Sequence, residues 1–135
     1  MNIAPYIGSQ DFIDVVEDFK IKVKLASKEQ CIELEKLLRN AFNNATKQIE
    51  YEGKEYPDFT TTDEYSQYIY KTIQYKVADW QGLENNGNVI KCELENNKIK
   101  DELMEFFYNV PLFSKEVFEA IQNSKEAFNN TAKKK

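Results

Sequence analysis

The sequence predicts an α+β domain: a small antiparallel sheet, made of a strand at 19–25 and a hairpin at 48–56, packed against about four amphipathic helices. Three observations predict it. Phe19-Lys20-Ile21-Lys22-Val23-Lys24-Leu25 alternates apolar and charged residues without a break, the period of a half-buried strand. Four later stretches repeat apolar residues at helical spacing. The chain has 135 residues, 41% hydrophobic and 30% charged, an ordinary globular balance for one domain with one core. No internal repeat, long linker or second domain is visible, so residues 1–135 read as one unit.

In chain order, residues 1–18 are the least defined. Ser9 is placed to cap a short helix carrying Phe12, Val15, Val16 and Phe19, with Asp11, Asp14, Glu17 and Asp18 on its wet side. Those carboxylates lack the spacing and turn glycine of a calcium loop. The strand at 19–25 follows. Its lysine row reads as the wet face of a half-buried sheet or as edge protection, ahead of a patch for an acidic partner.

Ser27-Lys28-Glu29-Gln30 is a capping box, opening a helix whose stripe is Cys31, Leu34, Leu37, Leu38, Ala41, Phe42 and Ala45. Ile49-Glu50-Tyr51 and Lys54-Glu55-Tyr56 flank Glu52-Gly53 as a hairpin, ended by Pro57. Thr61-Thr62-Asp63-Glu64 caps a helix with Tyr65, Tyr68, Ile69, Ile73 and Val77 on one face. Tyr70 and Tyr75 leave that stripe, as amphipathic surface residues or as a docking surface.

Val77 to Leu83 closes that helix and brings in Trp80, the single tryptophan. Gly82 allows a positive φ for a sharp turn around the indole. Glu84-Asn85-Asn86-Gly87 is a turn, and Val89-Ile90 a short strand. Ile99, Leu103, Phe106, Phe107 and Val110 form a further helical stripe, broken by Pro111. Ser114 caps a last helix with Val117, Phe118, Ile121 and Phe128, and 131–135 read as a flexible tail. Trp80 is expected in the core with its N–H on a carbonyl, rather than as an interface hot spot.

The chemistry is bounded mainly by what the chain lacks. It has no histidine, which removes the commonest general base and the usual imidazole ligand. Two distant cysteines make no zinc set. No phosphate loop, dinucleotide fingerprint or nucleophile elbow occurs. The expectation is a protein that is not an enzyme, with no metal and no cofactor. Cys31 is expected as a small buried hydrophobe, and two lone cysteines fit a reducing cytoplasm. No signal peptide or bilayer-spanning apolar run is apparent. A net charge of -5 disfavours non-specific nucleic-acid binding, and the 23 acids are interspersed with 18 bases.

The succession of strand, capped helix, aromatic helix, V-x-D-W-x-G-L, Asn-Gly turn, helix with Pro111 and terminal helix resembles phage tail assembly chaperones. The elements that carry it are Trp80, Gly82, Asn86-Gly87, Leu103 to Val110, Pro111, and Val117 to Ile121, within about residues 19 to 128. The resemblance implies a binding protein that holds the tape measure protein soluble, with tail tube protein as a second partner. It implies helix-in-groove recognition on the Tyr70/Tyr75 face or on the C-terminal helical pair through Phe107 and Phe118. Trp80, Gly82, Gly87 and Pro111 would be the structural motif. A homo-oligomer stays open, and neither nucleic acid nor membrane is expected as a partner. The competing reading is a small acidic phage inhibitor of a host defence nuclease, anti-CRISPR-like or a nucleic-acid mimic. Such an inhibitor should gather its acids on one face.

Overall fold

The computed structural model describes residues 11–133, with side chains described as far as 124. It is α+β, with four helices and small antiparallel sheets. The main sheet has three strands in the order β1-β2-β5: β1 (Ile13–Val16), β2 (Phe19–Val23) and β5 (Val77–Gln81). Three two-stranded hairpins stand outside it: β3 (Gln48–Tyr51) with β4 (Lys54–Pro57), β6 (Glu84–Asn85) with β7 (Asn88–Val89), and β8 (Leu94–Glu95) with β9 (Lys98–Ile99). The helices are α1 (Lys28–Asn44), α2 (Asp63–Lys76), α3 (Asp101–Tyr108) and α4 (Pro111–Lys133).

β2 forms within the expected 19–25 stretch, with Phe19, Ile21 and Val23 buried, but it ends at Val23, and Leu25, expected on the inward face, is 60% exposed. It is the central strand, however, so its lysines do not guard an edge. Lys20 pairs with Asp14 across β1 at 3.6 Å, an exposed contact of small worth. Lys24 Nζ reaches the Asn97 carbonyl at 2.9 Å, and burial lowers its pKa.

The expected partner of β2 was the hairpin at 48–56. The hairpin forms but lies apart, and β1 and β5 flank β2 instead. Both substitutions have the same physical origin. In β5, Val77 and Trp80 are both buried although three residues apart. A bulge opposite Lys22 and Val23 absorbs one residue and turns both side chains inward. That spacing of three imitates a helix. In β1 a bulge between Asp14 and Val16 produces the same ambiguity. Its β-branched Ile13, Val15 and Val16 take the strand. The expected helix start at Ser9 lies outside the described residues.

α1 opens with its capping box intact: Gln30 N donates to Ser27 Oγ, and Ser27 N to Gln30 Oε1. It buries only Leu34 and Ala41, so Cys31 is exposed, contrary to expectation, and Phe42 is 45% exposed. α2 is capped by Thr62 and runs into β5 with no loop between. Ile99 belongs to β9 rather than to a helix and is fully buried, and Asn96 and Asn97 make the β8–β9 turn at positive φ. Pro111 both ends the α3 run and opens α4, where a missing N–H costs nothing. Ser114 therefore lies inside α4, not at its cap, and its hydroxyl donates to the Phe107 carbonyl. The tail expected from Thr131 begins within α4, and 134–135 lie outside the described residues.

The core joins Phe19, Ile21 and Val23 to Ile73, Val77, Trp80, Ile99, Met104, Phe107, Val117 and Ile121. Trp80 is 5% exposed, and its Nε1–H donates to the Ile90 carbonyl at 2.8 Å. Gly82 sits beside it at φ +83. A Cβ there would overlap the Asp18 carbonyl oxygen and stand 2.8 Å from its carbon. The turn after the indole thus needs glycine for space as well as for φ. Gly82→Ala is expected to lower stability by about 1–3 kcal/mol from the backbone strain alone, more once the clash is included. Urea unfolding of the purified variant checks this.

Candidate functional site

Ten residues from the 3-10 turn at Phe59–Thr61, α2 and α4 enclose an open groove of about 600 Å³. Tyr65, Ile69 and Tyr70 supply one wall, and Pro111 and Phe118 the other. Lys115 and Glu119 stand on its rim, one helical turn apart on α4. The wall is built from interlocked rings: Tyr65 and Tyr68 each meet the Phe118 ring edge to face, at 6.4 and 5.8 Å. Tyr70 packs edge to face on Tyr108 at 4.7 Å. Burial and the neighbouring Tyr68 raise the Tyr65 pKa, so that phenol stays neutral at physiological pH.

Of the four expected binding residues, Tyr70 and Phe118 come together in this groove. The other two do not. Phe107 is fully buried, edge to face on Trp80 at 5.7 Å and stacked on Phe113 at 5.5 Å. Tyr75 is 5% exposed where α2 meets α1, its hydroxyl donating to Glu33. Burial, then the Glu33 hydrogen bond, raises the Tyr75 pKa strongly. Tyr75 leaves the main stripe because it serves a second helix contact. Of the motif residues, Trp80 and Gly82 shape the sheet end, Pro111 enters the groove wall, and Gly87 closes the β6–β7 turn with Asn86.

A second groove, of about 690 Å³, lies between the β1–β2 turn, the chain after β5 and the start of α4. Val16, Phe19, Leu83, Leu112 and Phe113 give it an apolar floor, while Glu17, Asp18, Glu84 and Glu116 rim it. Leu112 is 81% exposed. Helical spacing does not single it out, since Leu112 falls off the stripe of Val117 and Ile121. Gln74 was equally silent in sequence. Buried at 1% exposure, it donates through Nε2 to the Ile99 carbonyl and to Asp101, joining α2 to α3. Among the described residues no His, Cys, Asp or Glu cluster is arranged to hold a metal ion, and no helix is long and apolar enough to cross a membrane.

The chain matches no family model, no curated protein and no solved structure.

The two thiols differ in reactivity. Cys92 is half-buried, and burial, followed by the charges of Asp79 and Glu93, pushes its pKa up to about 12. Its reactive thiolate is therefore scarce at pH 8, whereas Cys31 is exposed. Iodoacetamide at pH 8 should alkylate Cys31 at least about tenfold faster than Cys92, read by peptide mass spectrometry. Equal rates would contradict the burial of Cys92.

Proposed function

We propose that this chain is a non-enzymatic holding factor of the phage tail assembly chaperone kind, which keeps an amphipathic helix of a tape measure protein soluble in the host cytoplasm. The observation that carries the reading is the aromatic groove between α2 and α4. Its apolar walls suit anchors spaced i, i+3, i+4 and i+7 along a helix. Lys115 and Glu119 can fix the orientation of that helix without supplying most of the affinity. The order of Trp80, Gly82, the Asn86-Gly87 turn and Pro111 supports the same reading. Capture would be passive, by burial of apolar surface, with tail tube protein as a second partner.

One observation favours the acidic inhibitor as a second reading. Glu17, Asp18, Glu84 and Glu116 gather at one end of the molecule around the second groove. A nucleic-acid-binding channel rich in lysine and arginine would meet such a rim, with affinity falling steeply as salt rises.

Titration of the chain with synthetic tape measure helices at about 0.1 and 0.5 M salt separates the readings. The holding reading expects binding that is nearly unchanged by salt, because apolar burial is barely screened. Ser66 is exposed on the groove, so Ser66→Arg fills the space without cutting the core. It should weaken binding at least about tenfold, or 1.4 kcal/mol. Salt-sensitive binding to a defence nuclease, with none to the helices, would sink the proposal.

A further inference from the structure

Every residue of β3 and β4 is exposed. Two short strands alone are marginal in water, and a third strand or a packed helix normally supplies the missing burial. The register sets Ile49 opposite Tyr56 and Tyr51 opposite Lys54, so three large apolar side chains share one face. Ile49, Tyr51 and Tyr56 are 50, 64 and 44% exposed. The other face sets Glu50 directly against Glu55. Like charges so placed repel, and the ion pairs among the described residues involve neither of them. The hairpin is thus short of apolar cover on one face and of positive charge on the other.

Its two edges differ. Asp58 N donates to the Lys47 carbonyl at 2.8 Å, just beyond the strands. Alternation along an antiparallel ladder then makes Ile49–Tyr56 and Tyr51–Lys54 the hydrogen-bonded pairs. Gln48, Glu50, Glu55 and Pro57 turn their backbone groups outward. Pro57 has no N–H, which blunts the outer edge of β4. β3 keeps both outward N–H and C=O groups, at Gln48 and Glu50.

We propose that the outer edge of β3 takes up an extended segment of another protein, in which an apolar residue alternates with lysine or arginine. The added strand would bond to the free groups of Gln48 and Glu50. Its residues opposite Ile49 and Tyr51 fall on the apolar face, where aliphatic or aromatic side chains cover the exposed rings. Its residue opposite Glu50 falls on the acidic face, where a cation relieves the repulsion between Glu50 and Glu55. Backbone bonds supply the pairing, and alternate side chains supply the selectivity. This surface is separate from the α2–α4 groove and does not rest on the holding function.

The test uses the full chain, isotope-labelled, with the peptide acetyl-VKVKVKV-amide and its acidic counterpart acetyl-VEVEVEV-amide. The basic peptide should slow hydrogen exchange at the Gln48 and Glu50 amides at least about tenfold, and the acidic one should leave them unchanged. Glu50→Pro removes an outward N–H and no bond within the hairpin, so it should abolish the protection. Glu50→Lys combined with Glu55→Lys should transfer the response to the acidic peptide. An unchanged Trp80 fluorescence spectrum verifies that each variant is folded. Failure of the basic peptide to bind, or equal binding by Glu50→Pro, overturns the proposal. So does protection that grows with protein concentration alone, which would assign the edge to a second copy of the chain. Ser66→Arg should leave the hairpin response intact, so failure at the groove and failure here are read separately.

Discussion

The placement of the Trp80 indole is the constraint on which the rest of the structure depends. The ring lies 6.4 Å from Phe19 on the central strand and 5.7 Å from Phe107 on α3, while its N–H holds the carbonyl of Ile90 in the chain between two hairpins. One side chain therefore ties together the sheet, the C-terminal helical pair and the irregular stretch that joins them. Aromatic contacts of this kind add about 0.5–1.5 kcal/mol each beyond area burial, and a buried hydrogen bond about 1. Gly82 follows directly: the backbone must leave β5 against the Asp18 carbonyl, where no side chain fits.

Around that centre the molecule divides by burial. The three-stranded sheet, α2, α3 and the first turns of α4 share one core. α1 covers α2 less completely, leaving Ile32 and Phe42 in solvent, and β3–β4 projects with no buried residue. The exposed apolar side chains are spread over the surface, with Ile49, Tyr51 and Tyr56 together on the hairpin and Val110 and Leu112 beside the start of α4. The aromatic groove lies between α2 and α4, both of which contribute to that core. The rings of its walls also pack on one another, Tyr65 and Tyr68 each edge to face on Phe118.

Sequence patterning was legible where one period ruled an element. β2, the capping box at Ser27, the cap at Thr62, the Glu52-Gly53 and Asn86-Gly87 turns and the break at Pro111 all follow from local chemistry. It misled where a bulge changed the period: Val77 and Trp80 read as helix, and β1 likewise. Strand partners were not legible either. β1 is a local partner, joined to β2 through the Glu17-Asp18 turn once it is read as a strand, but nothing local tells β2 to choose β5 over the 48–57 hairpin, since that choice is made by burial across the sheet. The candidate groove was half legible. Tyr70 and Phe118 announced themselves as aromatic, but which aromatics the core would consume depended on packing at α1 and at Trp80. Gln74 and Leu112 carried no pattern, because a buried amide and an exposed leucine both defy the polarity rule that sequence reading uses.

Through its contacts with Phe19, Phe107 and Ile90, Trp80 joins sheet, loop and helical pair into one cooperative unit. Urea unfolding of Trp80→Ala, followed by far-ultraviolet circular dichroism and by exchange of the Phe107 amide in α3 and the Lys100 amide, which donates to the Glu93 carbonyl, is the decisive measurement. The expected result is a loss of about 3–5 kcal/mol, seen alike by both probes in a single transition. A loss below about 1 kcal/mol, or exchange that quickens only around Ile90 while the helical pair keeps its protection, would contradict it.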